Sequence, residues 1–339
     1  MLRVMNYVNN LFIITHNDLD GMGGAAAFMR IIEKNPEEVT TIFAEPYNLD
    51  FFLENISESI ERGDLLVITD IGSNNSIFEN VCNTIKKIIS KGARIEWYDH
   101  HVWDQKDIEK LSALGVEIFI DTETCGTGVV AKYAQKKFEK HDEFLERLEK
   151  AVCSADLWKW DDELGGKLYR VSYTMNKGIE WKHKIIKKFY EGVLWDNEMQ
   201  SHLEEYMREE LNNFDSILST LKSYGNRCKI SAVYKDKEIP SDSLVGAMLL
   251  SRENASIAII IKRKTARRVS LSLRSRGKAN VQVIARELGG GGHPMASGAS
   301  ILLPWYVTLL STFSKSFIIK YVLKKIYLIS TKNGSCLAT

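Results

Sequence analysis

The sequence predicts a two-domain α/β protein: an N-terminal doubly wound parallel sheet, a helical connector, and a smaller C-terminal α/β domain. Three observations carry this. The chain has 339 residues, about twice the usual domain length of roughly 150 residues. Its first half alternates short apolar runs with helical patterns, and runs without alternation mark strands buried on both faces. Its composition changes at Tyr224-Gly225-Asn226, after a breaker-poor segment dense in Glu, Met, Leu and Arg.

In order, Leu11 to Thr15 reads as a buried strand, followed by a loop and a helix over Met22–Glu33. Leu65 to Thr69 is a second strand, with a helix over Ser76–Ser90; Ala93 to Tyr98 is a third and Val116 to Ile120 a fourth, followed by a helix opening at Gly126 or Thr127. From Asp142 to Leu221 strands give way to helical patterns, and Trp195–Leu221 reads as a connecting helix. New strands are expected over Lys229–Tyr234, Ala255–Lys262 and Val269–Arg274. The domain boundaries implied are 1–195, a connector over 196–225, a second domain over 226–301, and an apolar, basic tail over 302–339.

A composition that is 45% hydrophobic, with 45 Lys and Arg against 44 Asp and Glu, excludes disorder, a collagen-like fibre and a highly charged nucleic-acid tail-binder. A net charge of +1 cannot steer an anionic partner from afar, so any phosphate recognition must be local. The near-neutrality is uneven, because residues 302–339 hold five of the lysines and none of the acids. Five scattered cysteines, Cys82, Cys125, Cys153, Cys228 and Cys336, fit neither a disulfide framework nor a zinc finger and predict a reducing cytoplasm. Met1–Ile14 lacks a small-residue cleavage site, which argues against a signal peptide. Ile301–Phe313 is apolar but shorter than the roughly 18 residues of a membrane span, and Pro304 interrupts it.

In an open parallel sheet, functional groups gather where strands end and helices begin. The first strand runs into His16-Asn17-Asp18-Leu19-Asp20-Gly21, the second into Asp70, and the third into Asp99-His100-His101; Asp121 follows the fourth, and Asp156 lies in Ser154-Ala155-Asp156-Leu157-Trp158. Singly, each acid reads as a cap or turn residue, and Asp121 is left at that. Jointly, acids and histidines converging on one sheet edge repel unless cations neutralise them. Carboxylates with imidazoles and no cysteine suit Mn²⁺ or Mg²⁺, and a set large enough for two ions is what a two-metal phosphoryl hydrolase requires. The run Gly21-Met22-Gly23-Gly24-Ala25-Ala26-Ala27 lets a helix and its loop approach closely.

At these residues the sequence resembles the DHH phosphoesterase family. The name-giving triplet is Asp99-His100-His101, and the first motif appears as His16 to Gly21. Ser272-Leu273-Arg274-Ser275-Arg276, then Val281 to Ala285, then Gly289-Gly290-Gly291-Gly292-His293-Pro294-Met295-Ala296-Ser297-Gly298, resembles the DHH-associated C-terminal domain. The resemblance spans residues 10–301. It implies one ion on His16, Asp18 and Asp70, and a second on Asp20, Asp70, His100 and Asp156, with Asp70 shared. It implies two divalent cations, Mn²⁺ first, with Mg²⁺ or Co²⁺ as alternatives, and a bridging water or hydroxide that attacks phosphorus. It gives His101 the scissile phosphate, and Asp99 the orientation of His100. Arg274, Ser275, His293 and the amides of Gly290, Gly291 and Gly292 would hold the substrate's other phosphate or terminal group.

Within the family the compact plan is most similar to oligoribonucleases of the NrnB and NrnA type. RecJ-like exonucleases are usually longer, and the family's pyrophosphatases carry a different second domain. The expectation is therefore release of 5′-mononucleotides from short single-stranded RNA in the cytoplasm, without stable membrane association and with a homodimer left open. The alternatives are 3′-phosphoadenosine 5′-phosphate phosphatase activity, cleavage of cyclic or linear dinucleotides and, in another class, a non-catalytic nucleotide sensor. Beyond Ile301 the sequence departs from the family pattern. Phe317, Ile318, Tyr321, Val322, Leu323 and Ile326 have partly helical spacing beside Lys320, Lys324 and Lys325, which predicts a terminal helix packed on the second domain; the competing reading is a surface for RNA or an anionic membrane.

Overall fold

A computed structural model describes residues 8–226 and 228–335. The start of the N-terminal segment weighed as a leader, and Cys336 in the tail, lie outside the described residues. The chain divides into two units, residues 1–204 and 205–339.

The first unit is built on five strands: β1 (Leu11–His16), β2 (Val39–Ala44), β3 (Leu65–Thr69), β4 (Arg94–Asp99) and β5 (Glu117–Ile120). All are parallel, in the order β2-β1-β3-β4-β5. Between them run α1 (Leu19–Ile31), α2 (Leu49–Ser57), α3 (Phe78–Ser90) and α4 (Gln105–Leu114), followed by α5 (Gly126–Phe138), α6 (Glu143–Asp156), α7 (Gly165–Val171) and α8 (Gly178–Tyr190); α9 (Asn197–Leu218) begins in the first unit and continues into the second.

Strand side chains alternate between faces, and both faces are apolar here. Leu11, Ile13, Leu65, Val67 and Tyr98 pack with α1, α5, α6 and α8. Phe12, Ile14, Leu66, Ile68, Ile95 and Trp97 pack against α2, α3 and α4. On α3, Phe78, Val81, Cys82, Ile85 and Ile88 are buried at helical spacing, one stripe on one layer. The strand β2 is not among the apolar runs read from the sequence. It is an edge strand of partly exposed residues, Val-Thr-Thr-Ile-Phe-Ala, so it lacks the unbroken apolar signature of its neighbours.

The second unit carries a six-stranded mixed sheet in the order β10-β11-β9-β8-β7-β6. Its strands are β6 (Lys222–Tyr224), β7 (Ile230–Tyr234), β8 (Ile257–Arg263), β9 (Arg268–Ser275), β10 (Gly291–Gly292) and β11 (Ala296–Leu302), and its helices are α10 (Asp242–Arg252), α11 (Val281–Glu287), α12 (Trp305–Leu310) and α13 (Ser316–Lys332). Only β7 and β8 pair in parallel. Val233, Ala258 and Ile260 meet Val245 and Leu249 of α10 on one face. On the other, Ile230, Ile259 and Leu273 meet α11 and α13, the latter through Ile318, Ile319, Val322, Leu323, Ile326 and Ile329. Within the acid-free tail, α13 therefore contributes its buried stripe to the core, with Lys320 and Lys324 exposed beside it.

Truncating one of these tail side chains should show its weight. Ile326 is fully buried, so Ile326→Ala should destabilise the second unit by about 2–4 kcal/mol, measured by chemical denaturation. A loss below 0.5 kcal/mol, on the order of an exposed-site change, would contradict core packing of α13.

Candidate metal centre

The strand order reverses between β1 and β3: β2 lies on one side of β1 and β3 on the other. In doubly wound sheets this reversal opens a crevice at the carboxyl ends of the two strands. Both strands deliver ligand-type side chains there. His16 ends β1, Asp18 caps α1, and its Oδ1 accepts from Gly21 N at 3.0 Å. A Cβ on Gly21 would stand 2.1 Å from the His16 carbonyl oxygen, so this turn is closed to any other residue. Asp70 follows β3 with φ +57 and donates its N–H to Tyr98 O at 2.9 Å. A non-glycine residue in the left-handed region is uncommon, and such residues gather at functional sites. Asp99 ends β4, leading into His100 and His101, and Asp156 is the last residue of α6.

These side chains come together in overlapping groups. His16 Nδ1 lies 2.8 Å from Asp18 Oδ2 and 3.6 Å from Asp70 Oδ2. His100 Nε2 lies 3.3 Å from Asp70 Oδ1, 3.6 Å from Asp156 Oδ2 and 3.8 Å from Asp20 Oδ2. Asp70 thus turns one carboxylate oxygen to each histidine. Among the described residues, three groups have ligand atoms all within 4.8 Å of one another: His16, Asp18 and Asp70; Asp20, His100 and Asp156; and Asp70, His100 and His101.

The helix α5 holds the centre from behind. Its first amides, Gly126 N and Thr127 N, donate to Asp20 Oδ2 and Oδ1 at 2.6 and 2.7 Å, using the helix N-terminus as an anion holder. A Cβ on Gly126 would fall 2.8 Å from the Asp70 Cβ.

The electrostatics show three carboxyls held above their ordinary range and one pair that compensates itself. Burial, then the charges of Asp20 and Asp18, hold Asp70 well above the usual carboxylate range. Burial raises Asp20 as well, and burial followed by Asp20, Asp70 and Asp18 pushes Asp156 up to about 9. Burial also opposes both members of the His16–Asp18 pair, but their mutual attraction overcomes it, lowering Asp18 and raising His16. Asp70 Oδ2 is buried with no hydrogen-bond donor. Buried polar atoms without partners are expensive, and divalent cations would satisfy this one. Oxygen and imidazole donors without thiolate fit Mn²⁺ or Mg²⁺.

Other expected residues fall differently. Asp99 does not serve His100: its Oδ1 lies 2.8 Å from His101 Nδ1, and its Oδ2 accepts from His101 N at 3.2 Å and Trp103 Nε1 at 2.6 Å. The two-residue spacing lets the carboxylate reach back to both ring and amide of His101. Asp121 lies in a separate turn, with Lys132 Nζ 2.6 Å from its Oδ2. Arg274 Nη2 donates to Ser243 Oγ at 2.9 Å. Ser275 is buried, and its hydroxyl donates to Pro294 O at 3.2 Å, so that hydroxyl already serves the fold. The His293 side chain is exposed, while its backbone pairs with Ala296. Of the glycine run, Gly289 N and Gly290 N are spent on the Arg286 and Ala285 carbonyls that close α11, and Gly291 and Gly292 form β10.

Three participants gave no usable sequence signal. Glu45 Oε2 lies 3.3 Å from His16 Nε2, one residue beyond the unrecognised strand β2. Trp103 orients Asp99. Lys182, buried on α8, donates to Asn17 Oδ1 at 2.6 Å and to the Asn17 carbonyl, from 165 residues away. The cysteine reading also needs correction. Cys125 and Cys153 form a disulfide with Cα atoms 5.2 Å apart, within the bridging range. The spacing of 28 residues concealed a pair that the packing of α5 on α6 brings together, and the pair removes the cysteine argument for a reducing compartment. Among the described residues, no helix is long and apolar enough to cross a membrane.

The fold and this centre define a DHH-type phosphoesterase. Residues 10–155 match the DHH family, N-terminal domain, and residues 229–315 the DHHA1 domain; the chain belongs to the DHH family, and the second match runs past Ile301 into the tail. It is similar to oligoribonuclease NrnB of Bacillus subtilis, 25% identical over 308 residues, covering 85% of this chain and 72% of that protein. It is also similar to cyclic-di-AMP phosphodiesterase PdeA of Listeria monocytogenes, 21% identical over 318 residues, covering 84% of this chain and 44% of the relative. The pGpG-specific phosphodiesterase PggH of Vibrio cholerae shares the fold, with a TM-score of 0.55 and 12% identity over 91% of this chain and 99% of that one. So does RecJ of Thermus thermophilus in complex with Mn²⁺, with a TM-score of 0.56 and 14% identity over 93% of this chain and 52% of that one.

Two outcomes follow for the metal. Gly126→Ala should lower Mn²⁺ affinity about 10- to 100-fold, as loss of ligand support does, with the fold retained; calorimetric titration showing unchanged affinity would contradict the close approach at Asp70. The raised acids also set a pH dependence. A carboxyl group titrating above its unfolded value adds stability below the unfolded pKa, about 4, and loses that contribution as pH rises through the folded value, about 9 for Asp156. Bound cations favour the charged form. The rise in melting temperature on adding Mn²⁺ should therefore be larger at pH 8 than at pH 5, and an equal rise at both would contradict the titration of these acids.

Proposed function

We propose that this chain is a metal-dependent phosphodiesterase that hydrolyses short RNA oligonucleotides to 5′-mononucleotides. The observation that supports it most is Asp70, whose two oxygens face two different donor groups: His16 and Asp18 on one side, and Asp20, His100 and Asp156 on the other. Those residues would hold two divalent cations, Mn²⁺ first. Bound there, the cations would lower the pKa of a water and offset charge on the phosphate.

The protein's own groups do the positioning. The carboxylate of Asp99 keeps a proton on His101 Nδ1 and fixes the ring, so that its other nitrogen edge is offered to a phosphate oxygen. Burial opposes protonation of His101, and Asp99 outweighs it and raises the pKa, favouring a cationic donor that a phosphate would accept. Lys182 and Glu45 brace the His16-Asn17-Asp18 turn from two sides. In the second unit, Arg274 and His293 are proposed to take the substrate's far phosphate or terminal group, with Gly291 and Gly292 beside them.

The relative covered most fully among the curated ones acts on oligoribonucleotides by its name, which favours short RNA. PdeA and PggH act on dinucleotides by theirs, which makes a cyclic or linear dinucleotide the second reading. A cytoplasmic setting is proposed from the substrate alone.

A labelled series from di- to pentanucleotides, with pGpG, cyclic di-AMP and 3′-phosphoadenosine 5′-phosphate in parallel, tests the proposal in the presence of Mn²⁺. Mononucleotide release from the RNA series is the expected result; turnover of only the cyclic substrate would transfer the assignment, and no turnover with Mn²⁺, Mg²⁺ or Co²⁺ would indicate a sensor. Asp70→Ala should abolish activity. Arg274→Ala should lower kcat/KM while metal binding persists; loss of metal in that variant would overturn its assignment to substrate.

A further inference from the structure

Two residues beyond Asp156 the chain does something costly with large side chains. Trp158 has φ +59 and Trp160 has φ +54, the left-handed region that bulky residues rarely enter. The main chain is wound tightly to hold them. Lys159 N and Trp160 N both donate to Ser154 O at 2.9 Å, Trp158 N donates to Ala155 O at 3.2 Å, and Asp162 N is held by Ser154 Oγ at 2.9 Å. Trp158 meets Trp160 edge-to-face at 4.6 Å between ring centroids, and Tyr169 at 6.0 Å. Trp160 and Tyr169 meet in turn at 5.6 Å.

Trp160 and Tyr169 join the main core of the unit, whereas Trp158 remains 38% exposed. The result is a partly exposed ring braced by two near-perpendicular aromatics. Two peptide links of about 3.8 Å place its Cα within about 7.6 Å of the Asp156 Cα, a separation on the scale of one nucleotide. Strained backbone that persists beside a ligand residue points to function. Stacking on an aromatic ring also suits a substrate set in which the base varies, because every base has a π-face.

We propose that Trp158 is the platform on which the base of the metal-centred nucleotide stacks, with Trp160 and Tyr169 as its supports. The identity of the ligand rests on the phosphodiesterase reading. The site demands a base without choosing among bases.

The test compares wild type, Trp158→Ala and Trp158→Phe in the presence of Mn²⁺, by calorimetric binding of AMP and of ribose 5-phosphate. Mn²⁺ affinity serves as a control for the fold. Stacking worth about 1–3 kcal/mol per base corresponds to a preference of about 5- to 150-fold for AMP. Wild type should show that preference, Trp158→Ala should lose it with ribose 5-phosphate and Mn²⁺ binding unchanged, and Trp158→Phe should keep most of it. Equal binding of the two ligands by wild type, no binding of either, or a preference that survives in Trp158→Ala would overturn the proposal. Dinucleotide turnover, measured alongside, keeps the two readings apart. A Trp158-dependent preference without turnover would sustain the platform and refute the hydrolase, while turnover with an intact Trp158→Ala preference would do the reverse.

Discussion

The arrangement of the first unit depends on one buried carboxylate. Asp70 has almost no solvent, faces His16 with one oxygen and His100 with the other, and stands near Asp18, Asp20 and Asp156, which also repel it. Carboxyls so placed are relieved by protonation or by compensating cations, and the surrounding architecture holds their donor atoms together. The strand reversal beside β1 supplies the crevice. The left-handed turn at Asp70, the missing side chain at Gly126 and the α5 amides on Asp20 fix the positions.

Much of this was legible in the sequence because its signals are local. The strands β1 and β3 are apolar runs and β4 an apolar stretch interrupted by Arg94 and Glu96, each leading into an acid or histidine, and most of the ligand-type residues follow within a few positions. The helix boundaries were close too, since the glycine at the start of α5 and the stripe on α3 are read from their own neighbourhood. The strand β2 escaped because an edge strand need not be apolar throughout, and Glu45 escaped with it.

The partnerships formed across the sequence were not legible. Asp99 was expected to orient His100, and it holds His101 instead; which of two adjacent imidazoles a carboxylate meets depends on how the chain turns after β4. Lys182 reaches Asn17 only because α8 packs on α1. The tail looked anomalous for its lack of acids, yet its isoleucines, valine and leucine fill the second unit's core, so its charge pattern misled where its apolar spacing did not. The glycine run likewise looked like a cradle of open amides, while two of those amides end a helix and two residues form a strand.

The Cys125–Cys153 bridge bears on the energetics of ion capture. It joins the residue preceding α5, whose amides grip Asp20, to α6, whose last residue is Asp156. The bridge therefore ties together the α5 start, which holds Asp20 by hydrogen bonds, and α6, which carries Asp156. Such preorganisation would lower the entropic cost of binding a cation. Loading would then be an exchange of protons for cations, because the high-titrating acids would give up hydrogen ions to a metal. Metal uptake here would resemble an acid–base neutralisation more than a folding event.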